Sequence, residues 1–322
     1  MSAFDPSTAK IACIGAGNVG RAWAIVFARA GYDVSLYDQD TAALKAAVDA
    51  IAENVADLER YELIQSAADL KNRISYDTDL DICLSQAIYI QESVSENIDV
   101  KREVFQQLDS ATAQNVILAS STSELLPSSF FNAASRPERC IIAHPVNPPY
   151  LIPLVEICPG DATAQGVLET GKQILECAGM APVVLAREIR GFLLNRLQAA
   201  VVGEALHLTG AGFCTPSDIE AVMTKGLGLR WAFIGPFMTS HLNASGGYKD
   251  YMKVFSDPYR RMIDDLKLQY PWKDGLFEEI EADLSRHIPA GAVSDGQSWR
   301  DRRLMALLKH LNTAEKFTVN LE

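Results

Sequence analysis

The chain has 322 residues, is 48% hydrophobic and carries a formal net charge of -12. That length suffices for two moderate cores and favours two domains. The acidic balance excludes nucleic acid and anionic membrane surfaces as expected partners, since both call for basic faces.

Residues 10–14 form an apolar run that leads into Gly15-x-Gly17-x-x-Gly20, followed by a helical stretch to Ala30 with Trp23, Val26, Phe27 and Ala30 on one face. Gly31 closes that helix, and Val34-Ser-Leu-Tyr-Asp38 reads as a second strand with an acid at its tip. Strand, glycine turn, helix, strand and acid together make a dinucleotide-binding βαβ unit. Gly15 permits the tight turn, Gly17 lets the backbone approach a pyrophosphate, and Gly20 lets helix and strand pack closely. Asp38 accepts hydrogen bonds from a ribose diol and repels a 2′-phosphate, so the expected cofactor is NAD rather than NADP.

A helix from Thr41 to about Arg60 follows, with Leu44, Val48, Ile51, Val55 and Leu58 as its expected buried face. Strands are then expected at residues 87–92, 116–119, 140–143, 154–158 and 182–185, with helices between them, as a doubly wound α/β sheet requires. Six cysteines, Cys13, Cys83, Cys140, Cys158, Cys177 and Cys214, lack C-x-x-C spacing, and several fall within these apolar runs, so they read as small buried hydrophobes of a reducing compartment. Residues 1–9 lack a basic and apolar leader pattern and no apolar run reaches bilayer length, so the expectation is a cytoplasmic protein with no membrane partner.

The expected boundary places a Rossmann-type NAD-binding domain at residues 1–187 and an all-helical substrate and dimerisation domain at 188–322. In the second part, Thr215-Pro216-Ser217-Asp218 has the composition of a helix start, with Gly226 as the stop, and another amphipathic helix runs from about Gln297 to Leu311. Its apolar faces exceed the needs of a small bundle, so a homodimer is expected. Glu204-x-x-His207 has the spacing of helical metal ligands but lacks the second such motif that a di-metal bundle uses, so no metal is expected.

Chemistry concentrates in His144-Pro-Val-Asn-Pro-Pro-Tyr150 and Glu156, preceded by Ser121-Thr-Ser123 after an apolar run. A histidine, a carboxylate to orient it and a hydroxyl at strand ends suit removal of a proton from an alcohol. With Gly191-Phe-x-x-Asn195-Arg196 added, the order and spacing of these motifs resemble the 3-hydroxyacyl-CoA dehydrogenase family over nearly the whole chain. Ser120-Ser-Thr-Ser123, the segment 226–236 and His241-Leu-Asn-Ala244 resemble its lambda-crystallin branch, known as L-gulonate 3-dehydrogenase. The resemblance implies that His144 is the general base, Glu156 its orienting partner, and Ser123 and Asn195 the groups that hold the reacting oxygen. It also places Asp38, Glu96 and Lys101 at NAD.

Two features bear on the substrate. Residues 39–73 carry Lys45, Arg60, Lys71 and Arg73 against seven acids, a segment that repels the polyanionic tail of a CoA ester. Arg230, absent from the acyl-CoA branch's motif, suits the carboxylate of a free acid. The expected activity is therefore NAD-dependent oxidation of the 3-hydroxyl of a small hydroxy acid. Activity on 3-hydroxyacyl-CoA or on carnitine is the first alternative, and a non-enzymatic NAD-binding structural role the second.

Overall fold

A computed structural model describes residues 6–266 and 272–313. The chain divides into two compact units, Met1–Asn195 with Ser298–Glu322, and Arg196–Gln297.

The first unit holds strands β1 (Lys10–Ile14), β2 (Asp33–Tyr37), β3 (Ile74–Asp77), β4 (Ala87–Glu92), β5 (Ile117–Ser120), β6 (Cys140–Pro145), β7 (Leu154–Pro159) and β8 (Ala181–Val184). They form one eight-stranded sheet in the order β3-β2-β1-β4-β5-β6-β7-β8. All neighbouring pairs are parallel except β6 and β7. The order reverses between β1 and β4, so their carboxyl ends diverge into the crevice where open α/β sheets take ligands. Near-continuous apolar runs such as Ile11–Ile14 suit strands covered on both faces.

Helices α1 (Asn18–Arg29), α2 (Thr41–Arg60), α3 (Ala67–Asn72), α4 (Leu80–Leu84), α5 (Ile98–Ala111), α6 (Pro127–Phe130) and α7 (Gln165–Cys177) alternate with these strands. Two hydrophobic clusters result, one around Trp23, Phe27, Tyr32 and Tyr89, the other around Phe105, Phe130, Phe131 and Phe192. On α2 the buried face is Leu44, Ala47, Ile51, Val55 and Leu58. Ala47 takes the place expected for Val48, which is exposed, because a 3.6-residue period alternates steps of three and four. The short strand β3 has only Ile74 fully buried, which left no period for a sequence reading to detect.

The second unit is helical among its described residues. It contains most of α8 (Leu194–Gly210), then α9 (Pro216–Val222), α10 (Gly228–Trp231), α11 (Pro236–Leu242), α12 (Tyr248–Asp265) and α13 (Leu276–Leu284). Thr215 caps α9 in a full capping box with Asp218, as the composition required. Gly226 is no stop: residues Met223–Leu227 continue as a π-helical turn directly into α10. The last helix, α14 (Val293–Thr313), groups from Ser298 onward with the first unit, because Leu304, Met305 and Leu308 pack into that unit's core. The packing boundary therefore differs from a single division at residue 188.

Candidate active site

The glycine turn after β1 is dictated by space. A Cβ on Gly20 would lie 1.8 Å from the Gly15 carbonyl oxygen, and Gly15 itself has φ +97 with its pro-Cβ position 2.7 Å from the Ser93 carbonyl oxygen. Gly17, in contrast, faces open space, as a backbone meant to meet a ligand should. The first turn of α1 has no side-chain cap, which leaves its N–H groups directed at the crevice. Asp38 closes the turn from β2, accepting from Ala16 N at 2.9 Å and from Asp40 N at 3.0 Å. Gly15, Gly17 and Asp38, together with Ile14, Ser93, Leu80, Val100 and Val104, line an open cleft of about 500 Å³.

At the end of β4, Glu92 and Lys101 form a fully buried ion pair at 2.8 Å. Glu92 also accepts from Val94 N and from the Ser120 hydroxyl. Lys101 lies 3.5 Å from Glu96 as well. It is 1% exposed, so it stands behind Glu96 and neutralises two carboxylates. Burial alone would raise the Glu96 carboxyl; the Thr122 hydroxyl, Lys101 and the N–H groups of Ser123 and Glu124 outweigh it and hold the group below its ordinary value. Glu96 thereby fixes residues 122–124.

Beyond β5, the antiparallel pairing of β6 with β7 sets His144 directly opposite Glu156. His144 Nδ1 and Glu156 Oε2 are 2.9 Å apart, and both side chains are buried. The other carboxylate oxygen accepts from Leu193 N at 2.8 Å and Leu194 N at 3.0 Å, where α8 begins. Burial pushes the Glu156 carboxyl up, but the bond from His144 and the two N–H groups prevail, and it titrates below its ordinary value. An ionised carboxylate only accepts, so Nδ1 carries a proton, and in the neutral imidazole Nε2 presents a lone pair. Phe192 packs its ring 5.3 Å from the imidazole, centroid to centroid. It adopts φ 49 just after Gly191 at φ 74, and this tight bend brings the Leu193 and Leu194 N–H groups onto Glu156.

Asn195 Nδ2 donates to the Ser123 carbonyl oxygen at 2.9 Å, so these two expected site residues meet. The Ser123 hydroxyl has a long bond of 3.4 Å to Glu96 and is otherwise exposed. His144, Glu156, Ser123 and Asn195 all belong to the first unit, as do Gly15, Gly17, Gly20, Asp38, Glu96 and Lys101. Arg230 is exposed on α10 in the second unit. In that unit His241 Nδ1 accepts from Tyr248 N at 3.2 Å, and its ring covers Gly247, so it caps the start of α12. Sequence reasoning gave no role to Gln91, Glu92 or Ser93, and quoted Ser121 only as part of the Ser121-Thr-Ser123 run; the polar pair Gln91-Glu92 closing an apolar strand was the available signal.

A glycine turn with an acid at the next strand tip, and a buried histidine–carboxylate pair on the same sheet, define an NAD-linked dehydrogenase. The model of the 3-hydroxyacyl-CoA dehydrogenase NAD binding domain matches residues 10–189, and that of the family's C-terminal domain matches residues 191–274. The chain belongs to the 3-hydroxyacyl-CoA dehydrogenase family and is an NAD-dependent oxidoreductase. It is 37% identical over 310 residues to lambda-crystallin of Oryctolagus cuniculus, covering 95% of this chain and 97% of the relative. It is 33% identical to the L-carnitine dehydrogenase of a Pseudomonas species, covering 94% of each chain. Among solved structures, 5-formyl-3-hydroxy-2-methylpyridine 4-carboxylic acid 5-dehydrogenase, an NAD+ dependent dismutase, superposes with a TM-score of 0.83 at 26% identity, covering 95% of this chain and 99% of that one.

Proposed function

We propose that this protein oxidises the 3-hydroxyl of a small free hydroxy acid, L-gulonate or a close analogue, with His144 as the base. The observation that carries this reading is the buried His144–Glu156 pair with its two-N–H clamp, which leaves Nε2 as a proton acceptor. When bound, NAD supplies the hydride acceptor. As the carbinol C–H leaves as hydride, the hydroxyl proton passes to His144 Nε2 and the C–O bond becomes a carbonyl. Glu156 stabilises the imidazolium that forms, and Ser123 and Asn195 hold the reacting oxygen. Gly15, Gly17, Gly20, Asp38 and Glu96 contact the cofactor, and Lys101 sustains Glu96 from behind.

A free acid is favoured over a CoA ester by the acid-rich segment 39–73 and by Arg230 as the carboxylate partner. The second reading, carnitine or a 3-hydroxyacyl-CoA, draws on the L-carnitine dehydrogenase relatives and the family itself. We further propose a cytoplasmic homodimer, supported by the apolar surface of the second unit, where Leu197, Phe237, Leu242 and Val254 are 68%, 74%, 65% and 67% exposed.

The deciding experiment follows NADH absorbance with a panel of L-gulonate, 3-hydroxybutyrate, carnitine and 3-hydroxybutyryl-CoA. The expected result is the highest kcat/KM with an uncharged-chain free acid such as gulonate. A CoA ester or carnitine leading the panel promotes the second reading, and absence of turnover on every member overturns the enzymatic proposal.

A further inference from the structure

Between the glycine turn and His144 lies a buried polar chain that the family motifs do not account for. Tyr89 donates its hydroxyl proton to Gln91 Oε1 at 2.8 Å. Gln91 Nε2 donates to the Ser121 hydroxyl at 2.7 Å and to the carbonyl oxygen of Ala143, the residue before His144, at 3.3 Å. Trp23 Nε1, on α1, donates to the same Ser121 hydroxyl at 3.1 Å. The Ser121 hydroxyl also lies 2.9 Å from that of Ser93.

Bond directions in this chain are forced. The indole N–H is a donor only. The Gln91 amide is fixed as well, because flipping it would set its oxygen against the Ala143 carbonyl oxygen, acceptor to acceptor. Ser121 Oγ therefore accepts two N–H bonds, which fills both of its lone pairs, and its single proton must go to Ser93 Oγ. Ser93 cannot return that bond. Its own proton has no acceptor among the described residues, and its half-buried side chain lines the cleft beside Ile14, Gly15, Gly17 and Asp38.

We propose that Ser93 is a cofactor-binding residue whose hydroxyl, oriented by Ser121, Gln91 and Trp23, donates a hydrogen bond to a phosphate or ribose oxygen of the dinucleotide. The donor is set before the ligand arrives, so no rotor freedom of the hydroxyl is lost on binding. The Gly15 turn lies against the Ser93 main chain, which places this hydroxyl next to the backbone that the dinucleotide must approach.

The test is fluorescence titration of NADH against wild type, Ser93→Ala and Ser93→Thr, with unfolding midpoints measured without cofactor. Ser93→Ala should bind NADH about 5- to 30-fold more weakly, the range spanned by one hydrogen bond to a neutral or charged acceptor. Ser93→Thr keeps the donor and should stay within about threefold of wild type on the same scale. Competition by ADP separates the acceptors: an equal loss of ADP affinity in Ser93→Ala assigns the bond to the diphosphate or adenosine side, and an unchanged ADP affinity assigns it to the nicotinamide ribose. Wild-type NADH affinity in Ser93→Ala, with or without a lowered unfolding midpoint, overturns the proposal, as does a Ser93→Thr protein as impaired as the alanine variant.

Discussion

The two units bury their side chains to very different extents. In the first, whole elements vanish from solvent: residues 22–28 of α1 are buried without interruption, and so is every residue of β6. In the second, Tyr251, Leu276 and Asp283 are the buried side chains among the described residues, while Phe213, Phe233, Phe237 and Phe277 are exposed. A closed core can hold ionised groups in fixed geometry, because packing locks the rotamers and water cannot compete for the hydrogen bonds. The His144–Glu156 pair and the Glu92–Lys101 pair both sit in such surroundings. An open helical surface suits adaptable recognition instead. The contrast fits the proposal that bond making belongs to the first unit and selection of the substrate to the second.

The sharpest way to break that division is to remove the proposed base. His144→Asn should lower kcat by about two to four orders of magnitude, the usual scale for a positioned proton acceptor, while leaving NADH affinity near wild type. Steady-state turnover alongside NADH titration checks this, and activity within a few-fold of wild type would move the chemistry elsewhere.

Next comes the selecting side. Arg230→Met keeps most of the side-chain bulk and removes a charge, so kcat/KM for the best free acid should fall by at least about tenfold, the equivalent of roughly 1.5 to 3 kcal/mol for a hydrogen bond to a charged group. Turnover of a neutral amide of the same acid should change far less. Equal losses on acid and amide would make Arg230 a structural residue of the second unit.

The smallest effect probes how complete the first core is. The Tyr32 hydroxyl is buried without a hydrogen-bond partner among the described residues, and burial, with Cys177 nearby, pushes its pKa up to about 12. Tyr32→Phe removes an orphaned polar atom that costs about 1–3 kcal/mol to bury, set against a small void. A rise of about 2–4 °C in the unfolding midpoint is expected for each kcal/mol gained in a unit of this size. Activity should not change, and a lowered midpoint would reveal a hydrogen bond to that hydroxyl.

The sequence disclosed most of the sheet because its signals are local. Gly15, Gly17, Gly20 and Asp38 lie within one βαβ unit, and each long apolar run met the expected strand. His144 and Glu156 were also legible, being twelve residues apart on adjacent strands. What escaped depends on neighbours distant along the chain. The Lys101 ammonium is buried between Glu92 and Glu96, and no spacing rule distinguishes a buried lysine from an exposed one. Arg139 drew no attention at all, although it is buried and binds Asp109, the Thr112 hydroxyl and the carbonyls of Ala113 and Val116, which ties the end of α5 to the start of β5. The Ser93–Ser121–Gln91 chain joins three strands and a helix, so it exists only once the sheet order is known. The passage of Ser298 onward back to the first unit is of the same kind: α14's apolar residues announce a helix face but not its partner.

The single antiparallel pair in the sheet has a consequence for how this chain can change over generations. His144 and Glu156 face each other because the β6–β7 ladder counts them into register, Ala143 with Ile157 on one side and Pro145 with Val155 on the other. Since alternate residues point to opposite faces, inserting or deleting one residue within either strand would turn its half of the pair to the far side of the sheet. Substitutions elsewhere in these strands can accumulate while apolar bulk is kept, but changes in length cannot. Changes in length are therefore tolerable only in the loops, and His144 with its carboxylate partner is a unit of backbone register.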